Sequence, residues 1–470
     1  MSRFFLAGNT AQNLAIKHDK GPCLVLAGPG SGKTFVITER IRYLIEVNHV
    51  SPSEILTLTF TKAAAKEMQS RFMKKTNNAY KDAVFGTFHA FYYSILKDAE
   101  PDAALTFVDE GTRANIIRAL IRKRNLLARK AYPVDDEAVQ NILLKIAVFK
   151  NNGYTAKTVL KNEADEILRN LFRAYQTYLA RHALLDFEDM VLSCYMLLKK
   201  DKHVLHSLQQ RFTYIQADEF QDISPLQYEV LKLIAQDKRN LFVVGDDDQS
   251  IYAFRGAAPK LMRIFLSDFK EARQLTLNVN YRCRENIIRL SEAVIAKNRH
   301  RMEKETCAGR QDEAGTVTFF IAQDKETEQQ MIIRQVMRLQ KQNRTTAIIV
   351  RTNAEVNAYL EHPVLQTLRT KPYAPKVLTM HGAKGLEFDS VFLPCLNEGV
   401  IPAKRATKGE DLEEERRLLY VGVTRARMQV FLSCVYGAKD NKERPSRFLK
   451  ELPFCLRKLN EYAMIQRQSI

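Results

Sequence analysis

At 470 residues the chain exceeds the roughly 250–300 residues that one hydrophobic core supports, so several domains are expected. Its 72 Lys and Arg against 54 Asp and Glu leave a formal charge of +18, which points towards a polyanionic partner. Seven scattered cysteines without a CxxC pair argue for a reducing cytosol and against a zinc site, and the lack of any run of about 18 apolar residues argues against a membrane span, so a soluble cytoplasmic protein is expected.

In chain order, Gln12 stands in a polar, helix-compatible lead, NTAQNLAIKHDKGP. The next stretch, LVLAGPGSGKT (24–34), reads as a buried strand, a glycine loop and the start of a helix. Glycines let backbone N–H groups turn inward around a phosphate, and the helix N-terminus adds its positive dipole end. Lys33 supplies charge for the β- and γ-phosphates and the Thr34 hydroxyl suits Mg²⁺, so residues Ala27, Gly28, Pro29, Gly30, Ser31, Gly32, Lys33 and Thr34 are read as an ATP loop. Ala27 replaces the first glycine of the generic pattern, and a small residue still fits there.

ILTLTFTKAAAKEMQSRF (55–72) is a second strand and helix, the rhythm of a parallel sheet. VFGTFHAFYYSIL follows as a short strand and a helix whose aromatics, Phe91 to Tyr93, read as core. Residues 106–189 lose their strand runs and read as a helical insertion with a basic face. The sheet resumes at YIQADEFQD, where a strand delivers Asp218 and Glu219 at its end, one carboxylate to hold Mg²⁺ and a neighbouring one to orient or deprotonate the attacking water. LFVVGDDDQSIYAFRGA repeats that logic and presents Gln249, Tyr252, Phe254 and Arg255. From about residue 275 a second series of strands, LTLNVN, TVTFFIA, AIIVR, KVLTMHGAKGLEF, SVFLPC and VFLSC, predicts a second α/β sheet without a phosphate loop. It leads to YVGVTRAR, whose Arg425 is the candidate arginine finger.

In this order, AGPGSGKT, LTFTKAAAKEM, GTFHAF, DEFQD, VVGDDDQSIYAFRGA, NYRCRENI, MHGAKGLEF and YVGVTRAR resemble the motifs of superfamily 1 DNA helicases of the UvrD, Rep and PcrA type, over most of the chain. The resemblance implies an α/β fold with two RecA-like P-loop NTPase motor domains. Motor domain 1A would take residues 1–105 and 190–275, the helical insertion 1B residues 106–189, and motor domain 2A residues 276–470. It implies ATP and Mg²⁺ as cofactors, with Gln12 reading the adenine edge, Tyr281 stacking on the ring and Glu387 near the nucleotide. Asp218 would hold Mg²⁺, Glu219 would be the catalytic base, Gln249 would sense the γ-phosphate, and Arg282 and Arg425 would clasp it. Phe60, Thr87, Phe88, His89, Tyr252, Phe254, Arg255 and His381 fall in motifs that in the family touch single-stranded DNA.

Three departures stand out. Phe254 replaces the usual tryptophan, and Phe35 replaces the arginine common after the loop threonine. Only 22 residues separate Asn353 from Lys376, where the family inserts a whole subdomain called 2B. That is below the roughly 50 residues of a minimal domain, so 2B is expected to be absent or reduced to a short hairpin or loop. The implied activity is a 3′ to 5′ helicase or translocase acting on single-stranded DNA and single-strand/duplex junctions. The alternatives are a translocase that strips proteins from DNA, and a nucleotide-gated subunit working with a nuclease in a repair or defence complex.

Overall fold

The computed structural model describes residues 7–102, 105–126, 131–155, 158–159, 165–253, 256–309, 314–436 and 443–468. Two of the residues singled out above, Phe254 and Arg255, lie outside these. The chain forms two compact units. One takes residues 1–26, 33–245 and 252–276, and the other takes 27–32, 246–251 and 277–470.

The first unit is built on a six-stranded sheet. Its strands are β1 (Cys23–Ala27), β2 (Ile55–Thr59), β3 (Val84–Thr87), β4 (Tyr214–Ala217), β5 (Leu241–Gly245) and β6 (Arg273–Leu277), in the order β3-β2-β4-β5-β1-β6. The pairings from β3 through to β1 are parallel. Parallel strands covered on both faces must be apolar on both, and β1, β2, β4 and β5 are buried along their whole length. Helices α1 (Thr10–Ile16), α2 (Lys33–Glu46), α3 (Lys62–Lys75) and α4 (Phe88–Ala99) alternate with the first strands. Thr61, two residues past β2, and Thr87, the last residue of β3, are N-caps, their hydroxyls accepting from the N–H of Ala64 and Ala90, so each helix starts close to where its strand ends.

Part of the expected second sheet belongs here instead. The segment LTLNVN was predicted to open that sheet, but Arg273–Leu277 forms the edge strand beside β1, with the Arg273 N–H donating to Pro22 O at 3.0 Å. Val279–Asn280 leaves it and pairs in parallel with Cys307–Ala308. A single apolar run therefore serves two ladders, which its periodicity could not reveal.

Residues 106–189 carry α5 (Glu110–Asn125), α6 (Asp136–Asn151) and α7 (Glu166–Arg181), and α8 (Phe187–Lys200) follows. In α7 the buried residues Leu168, Leu171, Phe172, Tyr175 and Leu179 repeat at three- and four-residue spacing and form one stripe. They pack with Ile117, Ile121, Ile142 and Ile146 into a core of their own. Burying a side chain such as Phe172 contributes about 2–3 kcal/mol. Among the described residues here, strand pairing is confined to Thr106–Phe107 with Leu184–Leu185.

Under that core lies a buried ionic cluster. Lys150 Nζ donates to Asp186 Oδ2 at 2.6 Å and to Asp189 Oδ1 at 2.9 Å, and Arg113 approaches Glu188 at 3.3 Å. Burial pushes the Asp189 carboxyl up from 3.8 to about 6, against the pull of Lys150 and with the help of Asp186. The folded chain therefore holds this proton to higher pH than the unfolded chain. Its contribution to stability is greatest below about pH 4 and is lost as pH rises through about 6. Asp189→Asn is expected to flatten the fall of the thermal midpoint across that window; an unchanged fall would exclude Asp189 as its source.

The second unit is built on a five-stranded parallel sheet. Its strands β7 (Thr316–Ala322), β8 (Thr346–Val350), β9 (Lys376–Thr379), β10 (Phe388–Leu393) and β11 (Ala426–Val435) run in the order β7-β11-β10-β8-β9. Between β8 and β9 stand two short helices, Asn353–Leu360 and Pro363–Leu368, in place of the expected hairpin or loop. A capping box between Thr352 and Glu355 starts one, and Pro363 in the first turn starts the other.

Candidate functional site

In the first unit the chemistry gathers at the ends of β1, β2 and β4. Lys33 opens α2 directly after the glycine loop, and the loop's own positive-φ glycines, Gly30 and Gly32, allow the turn between strand and helix. Asp218 follows β4, its N–H donating to Leu58 O at 2.8 Å, so the neighbouring strand fixes its backbone. The Thr59 hydroxyl donates to Asp218 Oδ2 at 3.3 Å, while Oδ1 is buried with no hydrogen-bond partner among the described residues. Burial and the adjacent Glu219 push the Asp218 carboxyl up to about 7, and Lys33 opposes them. An orphaned carboxylate oxygen beside a cationic phosphate ligand fits a divalent ion such as Mg²⁺, which would supply the compensating charge.

Glu219 adopts left-handed backbone angles, φ 53° and ψ 42°, which cost a non-glycine residue about 1–2 kcal/mol. The Gln221 side-chain amide donates to Glu219 Oε2. Such a held, half-buried carboxylate can accept a proton from water. Gln12 is buried in α1, where its Oε1 accepts from the Asn9 N–H at 3.0 Å in a capping box. It thus serves its own helix start in this structure.

In the second unit the glycine loop packs against the segment around Arg282. The Tyr281 N–H donates to Gly30 O at 2.9 Å, and a methyl at Gly30 would lie 2.5 Å from Arg282 Cβ. The Ser31 hydroxyl donates to Gly28 O at 2.7 Å. Tyr281 is 39% exposed, unusual for a tyrosine held by its backbone, and leaves ring surface for stacking. Gln249 is the hub of a buried network: its Nε2 donates to Asp246 Oδ2 at 2.7 Å, and its Oε1 accepts from Arg425 at 3.2 Å. Lys384 Nζ donates to Gln249 O at 2.9 Å. Arg425 is further held by Val421 O and Leu386 O.

Arg282 pairs with Glu387 at 2.6 Å, and Arg427 pairs with the same carboxylate. Burial pushes Glu387 up, but the two guanidiniums outweigh it and hold the carboxyl below its usual range. Asp246, Asp247 and Asp248 stand close enough to hold a metal ion, yet two cations already pair with them. Lys304 Nζ lies 2.7–2.8 Å from all three carboxylates and Arg301 pairs with Asp248 at 2.7 Å. This knot fixes the turn that presents Gln249. Sequence reasoning missed Lys304 and Arg301, because their partners lie more than 50 residues away.

The residues expected at DNA divide unequally. Phe60 and Tyr252 stack on each other at 5.4 Å and 15°. The Thr87 hydroxyl is taken by the cap of α4. Phe88 is a correction: it is 1% exposed, its ring packed against Tyr92, because the register of α4 turns it into the core. Phe91 and Tyr92 are core as expected, whereas Tyr93 is exposed. His89 is held neutral by burial and meets the Phe187 ring edge-on at 5.9 Å. His381 follows β9 in a turn, half-buried. Phe187 was not anticipated. It is 50% exposed at the start of α8 and stacks on Phe107 at 6.0 Å, with Tyr93 beyond. An aromatic between two acids in LLDFEDM was its one visible signal. No helix among the described residues is long and apolar enough to cross a membrane.

Comparison with known proteins agrees with this arrangement. Residues 8–270 match the UvrD/REP helicase N-terminal domain family, and residues 275–366 and 357–436 match the UvrD-like helicase C-terminal domain family. The chain is 33% identical over 357 residues to the ATP-dependent DNA helicase PcrA of Staphylococcus aureus (strain Mu50 / ATCC 700699), covering 74% of this chain and 48% of the relative. It is 34% identical over 363 residues to the putative ATP-dependent DNA helicase YjcD of Bacillus subtilis (strain 168), covering 75% and 47%. The chain thus spans about half the length of the curated relatives it matches.

Proposed function

The chain belongs to the UvrD-like helicase family, and from that membership we propose that it is an ATP-dependent motor that moves 3′ to 5′ on single-stranded DNA and opens adjoining duplex. The observation that carries the reading is the set Lys33, Asp218 and Glu219, with an orphaned Asp218 oxygen and a base held in strained backbone. Lys33 binds the phosphates, and Thr34 and Asp218 hold Mg²⁺, whose charge screens the transferring phosphoryl group. Glu219 orients the attacking water and takes its proton, while Gln249, Arg282 and Arg425 bind the γ-phosphoryl oxygens. Arg282 must exchange Glu387 for phosphate to do so. Gln12 and Tyr281 receive the adenine. Phe60, Tyr252 and Phe187 offer ring faces to bases, a contact that needs no particular sequence.

Steady-state ATPase with and without single-stranded DNA tests the proposal. Strong stimulation is expected, weakening with salt because binding a single strand releases about 0.7 counterion per phosphate contact, so that log affinity falls with log salt by about that slope per contact. Turnover indifferent to single-stranded DNA at every salt concentration would sink the motor reading. A second reading is a translocase that strips proteins from DNA and unwinds poorly alone. Single-turnover unwinding of a tailed duplex separates the two. The complete set of Lys33, Glu219, Gln249 and Arg425 speaks against a switch that only recruits a nuclease, since a switch has no use for all the hydrolytic groups.

A further inference from the structure

The ionic cluster under the helical insertion does more than fill a core. Lys150, in the last turn of α6, is 0% exposed, and its ammonium is shared by Asp186 and Asp189. The Tyr175 hydroxyl donates to Asp186 Oδ2 at 3.1 Å and Gln176 Nε2 donates to Asp189 Oδ1 at 3.1 Å. These carboxylates are also the capping box of α8: the Asp189 N–H donates to Asp186 Oδ1 at 2.8 Å and the Asp186 N–H to Asp189 Oδ2 at 3.3 Å. Phe187 sits inside that box, between the two acids that Lys150 holds. Its half-exposed ring is thereby fixed at the backbone, in addition to its contacts with Phe107 and His89.

The residue after Lys150 reaches a second aromatic. A methyl at Gly256, which has φ 84°, would lie 2.7 Å from Asn151 Cβ, so Gly256 stands directly against Asn151. The Gly256 N–H donates to Ala253 O at 2.9 Å and the neighbouring Ala257 N–H to Tyr252 O at 3.2 Å. Tyr252 stacks on Phe60. Two consecutive residues of α6 therefore grip the mounts of two ring platforms that stand far apart in sequence. A buried ion pair gains little net stability over well-packed apolar residues, but its geometry is directional and specific.

We propose that Lys150 is a positioning residue for the single-strand track, holding Phe187 through Asp186 and Asp189 while Asn151 backs Gly256 and, through the Ala257 N–H, the Tyr252 carbonyl, so that the two aromatic steps keep a fixed spacing. The proposal rests on the single-strand motor reading above. It predicts that Lys150 matters to DNA engagement and not to the nucleotide chemistry.

The test compares wild type with Lys150→Met and with Lys150→Met/Asp186→Asn, the second removing a carboxylate left unpaired. Thermal melting reports folding, ATPase without DNA reports the nucleotide site, and an oligonucleotide carrying 2-aminopurine at successive positions reports stacking. In the folded variants the DNA concentration for half-maximal stimulation is expected to rise about ten-fold, the order of one lost base–aromatic contact. Quenching should be lost at one position, with DNA-free kcat and KM for ATP unchanged, and Lys150→Arg should recover part of the DNA affinity. Wild-type affinity and quenching in a folded variant would overturn the positioning role alone. Both variants unfolding would also overturn it, making the cluster a stability element. A wild-type protein that engages no single-stranded DNA would fail the motor reading first, and the track with it.

Discussion

Lys33→Ala is expected to abolish ATP turnover, a loss of about 10³-fold or more, with the chain still folded. Lys33 opens α2, where alanine is an excellent helix former, so the substitution leaves the local structure intact. What it removes is a cation beside the phosphates, at the site where negative charge concentrates in the transition state. It also removes the charge that opposes the burial of Asp218, so the carboxylate needed for Mg²⁺ becomes harder to keep ionised. Turnover and melting temperature measured on one preparation decide the matter. Near-normal hydrolysis in the variant would remove the glycine loop from the catalytic site.

Glu219→Gln should separate binding from chemistry. The amide keeps the shape of the side chain and its capacity to hydrogen-bond with Gln221, but it cannot take a proton. Loss of a general base typically lowers the rate by about 10²–10⁴-fold. ATP affinity should stay within a few-fold, because Lys33, Thr34 and Asp218 are untouched. Single-turnover hydrolysis alongside fluorescent-nucleotide binding reads both quantities. A variant that still turns over ATP at the wild-type rate would mean that another group activates the water, and the left-handed backbone at Glu219 would then have no catalytic explanation.

The two substitutions also divide what could be read early from what could not. Lys33, Asp218 and Glu219 were visible because each stands at a fixed offset from a buried strand, and the strand's apolar run is plain in the sequence. Gln249 was visible for the same reason, but the network that holds it was not. Lys304 and Arg301 reach Asp246–Asp248 from beyond two helices and the edge strand, and no local pattern links them. Phe88 and Phe187 show the converse. Both are phenylalanines at the start of a helix, yet helix register buries Phe88 and leaves Phe187 exposed.

The edge strand is a further case. LTLNVN looks continuous, but its first half completes one sheet and its second half pairs with Cys307–Ala308. The short span before Lys376 carries two short helices, Asn353–Leu360 and Pro363–Leu368. That it forms two capped helices rather than a hairpin depended on Thr352, Glu355 and Pro363, small signals that chain length alone could not rank.

By itself, then, the sequence determined the phosphate loop, the paired carboxylates, the order of the motor motifs and the basic character of the chain. Each of these rests on residues that are neighbours along the backbone, where a strand end or a helix start dictates direction. Only the tertiary structure decided which rings face outward, where one sheet ends and the next begins, and which cations neutralise Asp186, Asp189 and Asp246–Asp248. Those outcomes depend on burial and on partners dozens of residues away, because a charge removed from water must be paired by whatever the fold brings to it.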